Sequence, residues 1–286
     1  MTPRSKFNVL ILDTETCFKS EHNGIIAEIG WTFGNVLSQQ DTPTSRRFLV
    51  ADTLFNPSMW WHSQKLKNVH PSLEGADEGE RVNYAFDKRY EEYLAKVQKL
   101  NRISKTDRVV CSWHYILDQL TRDLSIVDSV GAYNMPFDHR ALQTTTKRFH
   151  HTHYAEIERL PKFCLMDMYA NHVINMNYFR MIDRLDEEDK KFFMSKSGQN
   201  LGYSAEIMAR YISQDKGYIE VHKALEDSLI EYELALFFFQ HWKYDYFEKY
   251  HGRISPVHWS SIKKRLSSAE KERQRELILV RDNDEE

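Results

Sequence analysis

The sequence predicts an α/β fold built around a mixed sheet, and three observations predict it. Three apolar segments follow one another near the N-terminal end with short connections between them, the pattern of an antiparallel meander. After them, short apolar runs alternate with amphipathic helical segments. The last of these segments is a long helical stretch rich in leucine and aromatic residues.

The first element, FNVLILD at 7–13, is a continuous apolar run closed by an acid and reads as a buried central strand. IIAEIGWTFGNV at 25–36 and RFLVADT at 47–53 read as the next two strands. Asn23-Gly24 and the polar stretch from Ser38 to Arg46 supply the turns. Residues 54–108 change character. Their first part is irregular and aromatic, and 80–100 places Tyr84, Tyr90, Tyr93, Leu94 and Val97 at roughly helical spacing. WHYILDQLTRDL at 113–124 is an amphipathic helix, IVDSVGAYN at 126–134 a strand, and FDHRALQTTTKRF a helix. CLMDMYA at 164–170 begins as a short strand, 184–199 reads as a surface loop, and 201–212 as a helix. The long helix begins in HKALEDSLIEYELALFFF, and a charge-rich tail follows it.

The bulk properties set limits. With 41% hydrophobic and 28% charged residues, the 286-residue chain is globular in composition. Its apolar runs are too short to span a bilayer, and its first residues read as a strand rather than a signal peptide, so no membrane partner is expected. Cys17, Cys111 and Cys164 are odd in number and widely spaced, which points to a reducing, cytoplasmic setting. A net charge of −3 does not announce a nucleic-acid partner. A site made of carboxylates filled by divalent cations is compatible with it, because the cations supply the local positive charge.

The chemistry lies in the acids. Asp13 and Glu15 sit two residues apart at the end of an apolar strand, so both point to one face and can reach one ion. Buried acids at such a place are costly unless paired or bound to metal. Taken alone, they could equally close the strand. Asp138 follows a second apolar strand at the start of a helix, where by itself it would read as a cap. His222 and Asp227 precede and open the long helix. Five residues apart, they would lie about 140° apart on an ideal helix, so sharing a site requires His222 to stand in the preceding loop. Alone, this pair reads as a histidine beside a solvated acid.

Together these segments read D-x-E, N-x-x-F-D and H-x-x-x-x-D, in that order. This resembles the DEDDh family of 3′–5′ exonucleases, within the ribonuclease H-like superfamily. IAEIG, CLMD and the LGYSAEIMARYI segment add weaker likeness. The resemblance implies a ribonuclease H-like mixed five-stranded sheet flanked by helices, with helical insertions. It also implies two divalent ions, Mg²⁺ or Mn²⁺, which oxygen ligands suit. Asp13 would bridge both ions, Glu15 and Asp227 would complete one, and Asp138 would hold the other mainly through water. His222 would be the general base. Thr14, Thr16, Phe18, Asn134 and Phe137 would contact the terminal nucleotide. The implied substrate is single-stranded nucleic acid with a free 3′ end, DNA favoured and RNA also admitted, releasing 5′-mononucleotides.

The chain departs from the family where Thr16-Cys17-Phe18 replaces a common T-T-G and Tyr133 replaces a common histidine. The spacing between motifs is long, which places insertions near 54–108 and 176–200. The implied organisation is an exonuclease domain over 1–250 and a charged helical extension over 251–286. Trp60, Trp61 and His62 could stack on bases, but packing is the simpler use. His150, His151 and His153 lack the companions of a zinc site. Lys147, Arg148 and the basic run at 263–265 read first as solvated faces. Two other readings stay open: a small-RNA or dinucleotide hydrolase with the same site, and a catalytically silent nucleic-acid-binding scaffold.

Overall fold

The structure, a computed structural model, describes residues 6–16, 24–54, 110–149, 155–174, 176–194, 202–219 and 223–252. The helix expected at 80–100, the clusters at 60–62 and 150–153, Cys17, Phe18, His222 and nearly all of the 54–108 and 251–286 segments lie outside them.

The first strand, β1 (Asn8–Thr16), pairs antiparallel with β2 (Ile26–Asn35), and β2 pairs antiparallel with β3 (Thr44–Val50). Val9, Leu10, Ile11 and Leu12 are all fully buried, which requires cover on both faces of the sheet. On its other edge β1 pairs in parallel with β5 (Ser129–Ala132), and β5 with β6 (Lys162–Cys164). A two-residue strand, β4 (Val110–Cys111), adds in parallel to β3. The order is β4-β3-β2-β1-β5-β6: three antiparallel strands continued by two parallel ones, the mixed sheet expected, with one short edge strand more than the five expected.

Between the strands run α1 (Ala51–Leu54), α2 (Trp113–Leu124), α3 (Met135–Arg148), α4 (Ala155–Arg159), α5 (Leu165–His172), α6 (Met176–Asp183), α7 (Glu187–Lys190), α8 (Ala205–Ser213) and α9 (Ala224–Asp245). The α2 span coincides with the expected one. Its start is fixed by Ser112, whose side chain accepts the Tyr115 N–H. Long α9 packs on β1 and β2 and is apolar on several sides, as a helix covered from several directions must be. Phe239 and Tyr246 (ring centroids 4.6 Å apart) close its far end against Phe7 and Phe163.

Three local expectations are corrected. The third strand stops at Val50, and 51–54 form a helical turn. Asp52 accepts the Trp113 N–H and the Thr53 hydroxyl donates to the Ile26 carbonyl, tertiary bonds that no local pattern announces. CLMDMYA contributes only Cys164 to a strand, and helix begins at Leu165. The loop expected at 184–199 contains α7 and a 3₁₀ turn (Lys191–Phe193), because Asp186 caps α7 through the Asp189 N–H and Phe193 is buried. Among the described residues no helix is long and apolar enough to cross a membrane. Cys111 and Cys164 are buried.

Candidate metal centre

The site forms where the end of β1 meets the starts of α9 and α3. The β1–β2 register sets Asp13 opposite Gly30 and Glu15 opposite Glu28. Cross-strand partners share a face, so Asp13 and Glu15 stand on the face toward which a Gly30 side chain would point. That space is taken by the first turn of α9: a Cβ on Gly30 would lie 2.4 Å from Ala224 C and O. Glycine here therefore lets the helix touch the sheet and brings Asp227, one turn in, over the end of β1. Ligand oxygens of Asp13, Glu15 and Asp227 all lie within 4.8 Å of one another. Asp227 is buried, and its Oδ2 accepts the Lys223 N–H at 2.9 Å, which fixes the carboxylate in the first turn.

Asp138 arrives from the opposite side on the first turn of α3, with Pro136 just inside the helix start. It is buried, and its Oδ1 accepts the Thr14 hydroxyl at 2.7 Å. Asp138 lies outside the group of three but acts on it. Asp13, although partly exposed as a residue, is held well above the ordinary carboxylate range, by burial first and then by the charges of Glu231, Asp138, Glu15 and Asp227. Asp138 is pushed up to about 7, chiefly by burial and against the Thr14 hydrogen bond. Crowded, enclosed oxygen donors of one sign are destabilised by their own repulsion, and a divalent cation among them would relieve it. The donor set, all carboxylate, fits Mg²⁺ or Mn²⁺.

Of the residues expected to line the pocket, Thr14 is buried with its hydroxyl on Asp138. Thr16 lies past an irregularity in the β1–β2 register and packs against Gly24. Asn134 occupies the cap of α3 and Phe137 its first turn, both partly exposed beside Asp138. Phe18 and His222 lie outside the described residues. One residue was missed. Glu231, one turn after Asp227 on α9, is 5% exposed, and its Oε2 accepts the Tyr133 N–H at 2.8 Å. The available signal was its i+4 spacing from Asp227, which puts both acids on one helix face.

No family model matches the chain, and no curated protein matches it. Similar solved structures are nucleases. Exonuclease I from Methylocaldum szegediense is 11% identical at a TM-score of 0.48, over 83% of this chain and 41% of its own. The E. coli ExoI–ssDNA complex in a zinc-bound form is 12% identical at 0.45, over 85% and 43%. The nuclease domain of 3′hExo, a DEDDh family member, bound to rAMP, is 12% identical at 0.38, over 82% and 93%. The chain thus spans about two fifths of the exonuclease I molecules it is similar to. The chemistry of the site is carried by its own carboxylates.

Proposed function

We propose that this chain is a metal-dependent 3′–5′ exonuclease that hydrolyses phosphodiester bonds at the 3′ end of single-stranded nucleic acid, DNA favoured. The observation that carries this reading is the convergence of Asp13, Glu15 and Asp227 from two distant segments onto one point, with Asp138 beside them. Asp13, Glu15 and Asp227 would hold one divalent ion, and Asp13 with Asp138 a second. Bound there, the ions supply charge neutralisation at the phosphate and an acidified water. The protein's own work is to hold these acids in place: Thr14 steadies Asp138, and the first turn of α9 steadies Asp227. His222 is the residue assigned to take the proton from the attacking water, a task suited to a group that titrates near neutrality.

End-dependence in this reading requires a pocket closed beyond the terminal nucleotide, with Thr14, Thr16, Phe18, Asn134 and Phe137 as the residues assigned to contact it. Residues 1–250 make up the nuclease unit in this reading. The test is digestion of a 5′-labelled linear single strand beside a circular one of matched sequence. The linear strand should give a descending ladder and 5′-mononucleotides, and a 3′-phosphate should block it. Cutting of the circle at a comparable rate would overturn the exonuclease assignment. Matched DNA and RNA strands, with dinucleotides as a third arm, give the substrate class.

A further inference from the structure

The structure assigns a further role, which rests on the nuclease reading above. We propose that Glu231 is a positioning residue of the metal centre, clamping the helix that carries Asp227 to the turn that leads into the helix carrying Asp138.

The three acid-bearing segments have no covalent reason to keep their spacing. Asp13 is on β1, Asp227 on α9 and Asp138 on α3. Glu231 crosses between two of them. Its backbone belongs to α9, one turn from Asp227, and its carboxylate takes the N–H of Tyr133, the residue between β5 and the Asn134 cap of α3. The parallel register pairs Ile11 with Gly131, so two residues further along lie Asp13 and Tyr133. Glu231 therefore reaches the turn at the level of Asp13. The far side of the same turn is also tied: the Tyr133 carbonyl accepts the Met166 N–H at 2.9 Å, and the Tyr133 hydroxyl donates to the Tyr203 carbonyl at 2.6 Å. The turn is thus held by several bonds, and the one to Glu231 connects it to the Asp227 helix. A buried acid is costly, and a backbone N–H bond offsets part of that cost only while its geometry is kept. That gives the clamp its directional demand.

The test compares wild type, Glu231→Gln, which keeps the acceptor, and Glu231→Met, which removes it. Mn²⁺ binding is measured by calorimetry on protein shown to be folded by near-ultraviolet circular dichroism, with nuclease turnover alongside. The expected result is Gln within about threefold of wild type and Met weaker by about 10–100-fold in Mn²⁺ affinity, the usual scale for groups that orient metal ligands. A residue that only stabilised the fold would lower the melting temperature and leave the affinity of the folded protein unchanged. Glu231→Asp, which keeps the charge and shortens the reach, should lose affinity like Met, and it decides the matter if Met does not fold. Wild-type affinity in Met or Asp, or a Gln variant as weak as Met, would overturn the clamp. If wild type itself bound no Mn²⁺, the nuclease reading would fall and the clamp with it.

Discussion

Replacing Gly30 with alanine tests whether the approach of α9 to the sheet builds the site. The added Cβ would sit 2.4 Å from Ala224 C and O and 2.5 Å from Leu225 N, all of them backbone atoms, which cannot swing aside as a side chain can. Ordinary contact requires about 3.4 Å, so the start of the helix must retreat by about 1 Å. Overpacking of this kind costs about 1–3 kcal/mol. For a chain of this size that lowers the melting temperature by roughly 2–10 °C. The larger effect is local. Asp227 stands in the displaced turn, and a 1 Å misplacement at a reacting centre can cost on the order of 10²-fold in rate. The assays are thermal unfolding and Mg²⁺-dependent release of nucleotides from a single strand. Gly217→Ala is the control, because among the described residues its Cβ would meet only the Asp215 side chain, at 3.3 Å. A Gly30→Ala protein with wild-type melting and wild-type rate would refute the reasoning.

Two further predictions concern Asp138 and its partner Thr14, and one the role assigned to His222. Asp138, raised from 3.8 to about 7, takes up a proton in the folded state at pH values where the unfolded chain has lost it, so metal-free stability falls as pH rises through that window. In EDTA, Asp138→Asn should therefore melt higher than wild type at pH 8, by at most about 4 kcal/mol, with the difference shrinking toward pH 5; a gain that grew as pH fell would contradict this. Thr14→Val removes the hydroxyl donor on Asp138 and should cost about 1–3 kcal/mol at pH 8, read by denaturant unfolding; an unchanged midpoint would deny the bond. His222→Ala should keep Mn²⁺ affinity and lose about 10²-fold or more in turnover, and a pH–rate profile as steep as wild type on its acid limb would place the base elsewhere.

Much of the fold was legible because its strands are buried on both faces and read as unbroken apolar runs. Val9 to Leu12 is the clearest case. The acids at the ends of such runs were legible for the same reason, since a charge there is out of place. What escaped notice depends on tertiary bonds. The turn at 51–54 is held by Trp113 and Ile26, and β4 has only two residues, too few to show alternation. Glu231 was hidden because a glutamate on a long helix is usually solvated, and only the fold reveals that it meets the Tyr133 N–H. Thr14 read as a pocket residue; strand alternation turns its hydroxyl away from Asp13 and onto Asp138, which the one-dimensional motif does not display.

A metal-dependent phosphodiesterase centre in this cluster of acids is checked by the rate of 5′-mononucleotide release from a linear single strand, measured for wild type and Asp13→Asn with Mg²⁺ and again with EDTA. The expected result is release by wild type with Mg²⁺ and none above background in the other three conditions. Equal release with EDTA, or by Asp13→Asn, would contradict it.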